Sequence, residues 1–202
     1  MYRFAAAVLV AGLALVSVSP VQAQNKKIKP GDAAPVFKSL PGVDGKSLSL
    51  EDFKNKDVLV VAITCNHCPV AVAYEDRFIA FAKKYSTPDS KVAFVAINVN
   101  NLPADKLDKM KLRAQEKGFN FPYLYDESQQ IGRALGATVT PELFVLDKNR
   151  KVVYLGSFDN SQDTSKVTNN YVEQAVQAAL NGSTVPTAQT RPFGCSVKYD
   201  GK

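Results

Sequence analysis

The amino-acid sequence predicts an α/β protein with a central mixed β-sheet flanked by helices. Two continuous apolar stretches, Val58–Ile63 and Val92–Val99, are typical of strands that are buried on both faces. Between them, apolar and aromatic residues recur every three or four positions over 70–85, which predicts an amphipathic helix. A strand–helix–strand unit of this length requires parallel strands. Downstream, segments 142–147 and 151–156 flank a polar turn and predict an antiparallel hairpin, so the sheet is mixed.

The other predicted elements follow the same periodicities in chain order. Asp44-Gly45 is a hairpin turn signal, which predicts an N-terminal hairpin extension before a helical turn at 50–53. Three further helices and one short strand are predicted: helices over 103–117, 128–135 and 171–180, and a strand over 121–126. After Gly182 the chain has no clear helical or strand period, so we predict an irregular tail from about residue 183.

The first residues are typical of a secretory signal peptide. Arg3 precedes the apolar stretch Phe4–Val16, and small residues lead to a cleavage position after Ala23. An uncleaved membrane anchor is the alternative, but the stretch is shorter than the roughly 18–20 residues that a spanning helix needs. We therefore predict a signal peptide at 1–23 and one exported domain at 24–202. In a bacterium this domain would cross the inner membrane and be periplasmic.

The charge pattern argues against a nucleic-acid partner. The chain has 25 basic and 19 acidic residues and a formal net charge of +6. The lysines lie among acids, as in 103–117, which is typical of a solvated helix face and not of a basic stripe. No segment after the signal peptide is long and apolar enough to span a membrane. We expect a monomer that binds no nucleic acid.

Two of the three cysteines and the single histidine lie in one short motif, Cys65-Asn66-His67-Cys68. Covalent haem attachment requires a histidine straight after the second cysteine, and this position is Pro69. A zinc site usually takes four ligands in two pairs, whereas this chain has one pair and a distant Cys195. A structural disulfide in so small a loop would restrain little of the unfolded chain. Redox exchange without a metal or other cofactor fits the motif best.

The place of the motif in the predicted fold also favours redox chemistry. Cys65 follows the end of a buried strand, and Cys68 is predicted in the first turn of the next helix. Unpaired N–H groups and the positive end of the helix dipole stabilise a thiolate at Cys65, which lowers its pKa. We therefore predict that an exposed Cys65 attacks and that Cys68 resolves the mixed disulfide.

Several longer motifs carry a family resemblance. Over roughly 30–198, "DGKSLSLEDFK", "TCNHCP", "FPYLYDESQQI", "GATVTPELFVLD" and "RPFGCSVK" together resemble the peroxiredoxin-like redoxin family with a CNHCP active site, whose fold is thioredoxin-like. The resemblance implies that Thr140-Pro141 is a cis-proline loop that faces the cysteines and pairs with an extended substrate segment. It implies a thiol–disulfide oxidoreductase acting on protein cysteines, with a redox partner that the sequence does not identify. We expect the oxidised protein to hold a Cys65–Cys68 disulfide.

The proton acceptor is left open by a departure from the resemblance. Thioredoxin has a buried acid six residues before the first cysteine, and here this position is Leu59. Glu142, beside the proline, and Glu75, on the active-site helix, are candidate acceptors; each has an ordinary surface carboxylate as its alternative. His67 is predicted to favour a thiolate in the motif, with a bystander role as its alternative.

Two other functions also stay open. The first is a peroxiredoxin-like hydroperoxide reductase, an antioxidant activity. The peroxidatic frame PxxxTxxC argues against it, because with Cys68 in the cysteine position the threonine would be Cys65 and the proline Val61. The second is a redox-inert binding module that merely keeps the fold.

Cys195, in the tail motif "RPFGCSVKYD", has two interpretations. It is either a lone thiol under the tail or an auxiliary thiol that the tail folds back to the cysteine motif. The resemblance, which includes a glycine-cysteine in this tail, favours the second, as does the liability of an unpaired cysteine in an oxidising compartment. We predict a free Cys195 in the resting oxidised protein. Under excess oxidant we predict a minor bridge to Cys65 or Cys68.

Overall fold

The computed structural model describes residues 27–201. The predicted signal peptide at 1–23 lies outside these residues. The N-terminal hairpin is present: β1 (Leu40–Pro41) pairs antiparallel with β2 (Ser47–Leu48). Gly45 in its turn has a φ of +82°, a left-handed conformation that glycine adopts without steric cost. A 3₁₀ turn at Leu50–Phe53 follows where a helical turn was predicted.

Five of the later strands build one central sheet. The strand bounds are Val58–Thr64 for β3, Val92–Asn98 for β4, Tyr123–Tyr125 for β5, Val139–Thr140 for β6, Glu142–Leu146 for β7 and Val152–Gly156 for β8. All but β6 form a five-stranded sheet in the order β5-β4-β3-β7-β8. The β3–β4 and β4–β5 pairs are parallel, whereas the β3–β7 and β7–β8 pairs are antiparallel. The predicted mixed sheet is confirmed.

The described residues form four α-helices, with bounds Pro69–Tyr85 for α1, Leu107–Lys117 for α2, Gln130–Leu135 for α3 and Tyr171–Leu180 for α4. The prediction of a single helix over 103–117 is wrong. The segment is divided into a 3₁₀ turn at Pro103–Asp105 and α2, because Lys106 is extended with a ψ of 154°. The break leaves Asp105 fully buried. Within residues 27–201, no helix is both long and apolar enough to cross a membrane.

The sheet separates two apolar clusters, and β3 contributes to both because successive side chains point to opposite faces. The side chains on one face of β3 pack with α1 and α4; they are Val58, Val60 and Ala62. The side chains on the other face belong to the second cluster; they are Leu59, Val61 and Ile63. This double burial explains why β3 is a continuous apolar stretch instead of an alternating one. It also fixes the end of β3, and therefore the cysteine motif, relative to the helices.

The tail after α4 was predicted to be irregular, but it contains one short strand. Cys195–Ser196 form β9, which pairs antiparallel with β6. Thr140 lies opposite Cys195 in this pair. A strand of two residues is too short to give a visible alternation of polar and apolar residues, so its sequence carried no signal.

Candidate active site

The cysteine motif lies where β3 ends and α1 begins. Cys65 follows β3 directly, and Cys68 is the N-cap of α1, one position before the first turn in which it was predicted. Pro69 takes the first helical position, where a missing N–H is no loss. The Ala71 backbone N–H donates to Cys68 Sγ (3.5 Å), so this sulfur satisfies one of the unpaired N–H groups at the helix start.

Both motif cysteines are buried, which corrects the prediction of an exposed Cys65. Cys65 is 3% exposed and Cys68 is fully covered. Thr140 lies against both sulfurs: its Oγ1 is 3.2 Å from Cys65 Sγ, and its backbone oxygen is 3.1 Å from Cys68 Sγ. The Thr140–Pro141 peptide bond is cis. The family resemblance implied that the Thr140-Pro141 loop faces the cysteines, whereas no local pattern could show it, because Thr140 lies 75 positions from Cys65 along the chain.

The two thiols are unbridged in this structure, so the Cys65–Cys68 disulfide stays a prediction. A hydrogen bond from the Cys65 thiol lowers the pKa of Cys68 to about 4, and the Cys195 thiol and the N–H groups of Ala71 and Cys195 add to this effect. Burial and the contact with the Thr140 carbonyl oppose the ionisation, but four donors outweigh them. Of the two motif cysteines, Cys68 is therefore the one whose ionisation the surrounding donors favour.

The same contact acts in the opposite direction on the other sulfur. The hydrogen bond to Cys68, together with burial, raises the pKa of Cys65 above that of an ordinary thiol. A lowered pKa at Cys65 was predicted from the helix dipole. That prediction is corrected, because the N-cap sulfur, and not the sulfur three residues before it, lies at the free N–H groups of α1.

Asp105 is a buried partner of the motif that sequence reasoning missed. Its Oδ1 accepts from the backbone N–H groups of Asn66 (2.8 Å) and His67 (3.2 Å), and its Oδ2 lies 2.5 Å from His67 Nδ1. The second ring nitrogen, His67 Nε2, is buried and has no hydrogen-bond partner among the described residues. The charge pattern of 103–117 predicted a solvated helix face instead. The one available signal was Pro103, which can start a new turn shortly before Asp105.

The two predicted proton acceptors are buried but have other partners. Glu75 accepts two hydrogen bonds from Arg113, at 2.9 Å and 2.7 Å. Glu142 accepts from the Thr138 backbone N–H (2.8 Å), and burial raises the pKa of this carboxyl. Neither is a surface carboxylate, since they are 5% and 2% exposed. Within residues 27–201 no hydrogen bond joins either of them to a cysteine sulfur, and their role in proton transfer stays a prediction.

The tail places the third cysteine beside the motif. The Cys195 backbone N–H donates to Cys68 Sγ (3.4 Å), and the Cys195 side chain packs against the buried cluster that contains Cys68. Hydrogen bonding to Cys68, with burial and the charge of Cys68, raises the pKa of Cys195. Cys195 is partly exposed, unlike the two motif cysteines. It is therefore not remote from the motif, although its chemical role stays a prediction.

One group within residues 27–201 has the spacing of a metal site. Cys65, His67 and Asp105 each offer a ligand atom, and these atoms lie within 4.8 Å of one another. One sulfur, one nitrogen and one oxygen match the number of protein ligands in an open zinc site. The Asp105 carboxylate already accepts from two N–H groups and contacts His67, so a metal ion would have to replace the contact with His67.

A model of the Redoxin family matches residues 29–172. The chain belongs to the Redoxin family. The match includes the whole central sheet and the cysteine motif and ends within the first turn of α4, so the tail that carries Cys195 lies outside it. The predicted family is confirmed at this level, whereas CNHCP as the signature of its active site stays a prediction.

Individual relatives support the same fold and chemistry. A solved structure of an uncharacterized conserved protein from Geobacillus kaustophilus is 37% identical, with a TM-score of 0.78 over 86% of this chain and 93% of that one. Peroxiredoxin Bcp from Escherichia coli is 31% identical over 54% of this chain and 65% of its own. Thiol-disulfide oxidoreductase ResA from Geobacillus thermodenitrificans is 29% identical over 60% and 66%. The thioredoxin-like fold is confirmed, and oxidoreductase chemistry in general is supported.

Proposed function

We propose that this Redoxin family member is an exported thiol–disulfide oxidoreductase that exchanges disulfides with protein cysteines through Cys65 and Cys68. The observation that carries the proposal is the environment of Cys68 Sγ, which lies in one buried cluster with Cys65 and accepts from the backbone N–H of Ala71 at the start of α1 and from that of Cys195 in the tail. A buried pair with one stabilised thiolate is suited to exchange, since the thiolate is the species that attacks a disulfide. The likeness to the thiol-disulfide oxidoreductase ResA supports the same chemistry.

In this proposal Cys65 contacts the substrate and Cys68 resolves. Cys65 retains slight exposure, whereas Cys68 has none. Transfer of the Cys65 proton to Cys68 along their hydrogen bond makes Cys65 the nucleophile. Its thiolate attacks a substrate disulfide, forms a mixed disulfide and releases one substrate thiolate. Cys68 then loses its proton to that thiolate or to solvent and attacks Cys65 Sγ, which releases the second thiolate and leaves a Cys65–Cys68 disulfide. The reverse sequence oxidises a substrate dithiol.

Trapping of mixed disulfides tests these roles. Cys68→Ser and Cys65→Ser are each made in a Cys195→Ser chain, so that the tail thiol cannot release a trapped substrate. Incubated with a disulfide-containing test protein, the Cys68→Ser chain should accumulate a mixed disulfide and the Cys65→Ser chain should not, as read by non-reducing mass spectrometry. The opposite pattern would reverse the two roles. Absence of a reversible two-electron couple in the wild-type chain would reject the function and leave the redox-inert module.

Export depends on the predicted signal peptide. Cells that make the full chain should contain a mature form that begins at Gln24, because the predicted cleavage follows Ala23. N-terminal sequencing of the protein from cell fractions measures this directly. An intact N-terminus on cytoplasmic protein would contradict export and leave the exchange chemistry unaffected.

Hydroperoxide reduction is a second candidate, since Peroxiredoxin Bcp is similar and Thr140 Oγ1 lies 3.2 Å from Cys65 Sγ. A hydroxyl at this distance is placed to orient a peroxide oxygen beside the sulfur. If the candidate is correct, thiol-dependent removal of hydrogen peroxide should fall about tenfold or more in Thr140→Val, about the loss expected for one hydrogen bond to a charged group. A wild-type rate equal to that of the thiol reductant alone would reject it.

A further inference from the structure

The tail is held against the cysteine motif by backbone pairing. β9 pairs with β6 so that Cys195 lies opposite Thr140, and the Val197 N–H donates to the Thr138 carbonyl (3.0 Å). Gly194 makes the closest approach: a Cβ built on it would lie 2.0 Å from the Thr140 carbonyl oxygen. Its φ of +153° is also one that side chains with a Cβ rarely adopt. Position 194 therefore requires a glycine, because the tail backbone there lies directly against the Thr140 carbonyl group.

Side chains anchor the tail on both sides of Cys195. Before it, the Phe193 ring packs 6.1 Å from the ring of Tyr74 on α1. After it, Val197 is 7% exposed in the apolar cluster on the other side of the sheet. The Lys198 N–H donates to Asn100 Oδ1 (2.7 Å). Anchors on both sides fix the position of Cys195, so its contact with the motif is not that of a free chain end.

The three sulfurs are arranged around Cys68. Cys65 and Cys68 lie in one buried cluster, the Cys195 side chain packs against that cluster, and the Cys195 backbone N–H donates to Cys68 Sγ (3.4 Å). Cys65 Sγ, in contrast, lies 3.2 Å from the hydroxyl oxygen of Thr140. Cys68 is thus the common neighbour of two thiols, one of them buried and the other partly exposed.

We propose that Cys195 is a third redox-active thiol, which exchanges with Cys68 and gives the protein a second internal disulfide, Cys68–Cys195. The proposal rests on the proposed dithiol function and extends it. The Cys195 thiolate attacks Cys68 Sγ of the Cys65–Cys68 disulfide, a Cys68–Cys195 bond forms, and the Cys65–Cys68 bond breaks. Cys65 leaves as a thiolate and takes up the proton that Cys195 gave up. No electron enters or leaves the protein in this step.

The exchange has a consequence for access. It returns Cys65 to the thiol state and moves the disulfide to a pair with one partly exposed member. A redox partner can then reduce or form this disulfide at Cys195 without opening the buried motif. Cys195 would act as the connection between the covered dithiol and proteins or small thiols in solution.

Three variants that each keep two cysteines test the proposal. Cys65→Ser retains Cys68 and Cys195, Cys68→Ser retains Cys65 and Cys195, and Cys195→Ser retains the motif pair. Each chain and the wild type are equilibrated in buffers of reduced and oxidised glutathione, quenched with acid, alkylated and mapped as peptides by mass spectrometry. The fraction bridged in each buffer gives an effective concentration for each pair of thiols. Glutathione disulfide is the oxidant, and each bridge releases two molecules of reduced glutathione.

The Cys65→Ser chain should close a Cys68–Cys195 bridge with an effective concentration at least about 100-fold above that of the Cys65–Cys195 pair in Cys68→Ser. Oxidised wild-type protein should contain both the Cys65–Cys68 and the Cys68–Cys195 peptides. Equal closure in the two variants overturns the proposal. So does an oxidised wild type without the Cys68–Cys195 peptide, a result that holds even if a variant misfolds. Failure of the proposed function gives a different pattern, namely a Cys195→Ser chain without a Cys65–Cys68 couple.

Discussion

Asp105 Oδ2 lies 2.5 Å from Nδ1 of His67, and Oδ1 of the same carboxylate accepts from the backbone N–H of His67. One buried side chain therefore holds both the backbone and the ring of the residue between the two motif cysteines. Asp105 also acts on the sulfur chemistry. Its charge adds to the hydrogen bond with Cys68 and to burial in raising the pKa of Cys65. A carboxylate that the sequence placed on a helix surface thus contributes to positioning and to electrostatics.

Asp105→Asn separates these two contributions. Loss of the charge should lower the pKa of Cys65 and speed its alkylation near neutral pH by about threefold, which corresponds to about half a pKa unit. Loss of charge-assisted hydrogen bonds should reduce the free energy of unfolding by roughly 1–3 kcal/mol, measured in urea. The matched control is Asp108→Asn, whose carboxylate is 70% exposed, and it should change neither quantity. Reduced stability with unchanged alkylation would leave Asp105 with a positioning role alone.

His67 is expected to set the reduction potential of the motif. An imidazole beside the sulfurs stabilises the reduced thiolate, so the potential should lie nearer about −180 mV than about −270 mV. His67→Pro should move it toward the lower value, measured against glutathione. This substitution also removes the N–H that donates to Asp105, so His67→Gln, which keeps that N–H, is the companion variant. Equal potentials in all three chains would make the imidazole a bystander.

The scaffold was predictable because its signals are local. The continuous apolar sequence of β3 follows from burial on both faces, and the aromatic spacing of α1 follows from packing on one of those faces. The environment of the cysteines has no local signal, because it comes from segments far away in sequence. The family resemblance alone implied the Thr140-Pro141 loop and favoured the return of the Cys195 tail, and nothing indicated Asp105. Thr140, Asp105 and the tail strand all reach the motif through tertiary contacts. Their short elements have no periodicity of their own.

The reduced protein should become more stable as the pH rises from about 4 toward about 9. The folded-state pKa of Cys68 is lowered to about 4 by the Cys65 hydrogen bond, whereas an unfolded thiol titrates near 9. For a lowered pKa, the stabilisation is fully present above the unfolded value and is lost as the pH falls through the folded value. The slope is at most about 1.4 kcal/mol per pH unit.

Urea unfolding of reduced wild-type and Cys68→Ser protein at several pH values measures this effect as the difference between the two chains. Above about pH 9 the raised pKa values of Cys65 and Cys195 act in the opposite direction, so the difference should stop growing there. If the difference in the free energy of unfolding between the two chains does not change between pH 4 and pH 9, Cys68 keeps its proton over this range. That result would contradict a thiolate at Cys68.

The docked tail should limit access to the motif, and Gly194→Ala tests this without changing any cysteine. The added Cβ would lie 2.0 Å from the Thr140 carbonyl oxygen, so β9 must separate from β6. We expect Cys65 and Cys68 to be alkylated about tenfold faster. A fall of about 1.4 kcal/mol in the free energy of local opening exposes the two cysteines about ten times as often. Ser196→Ala is the matched control, since Ser196 is an exposed neighbour in the same strand. Peptide-resolved alkylation rates measure the effect. If protein substrates pair with β6, as the family resemblance implies, their exchange should gain more than that of small disulfides, because β9 occupies this edge. Equal rates in Gly194→Ala, Ser196→Ala and wild type would mean that the tail strand does not control access to the cysteines.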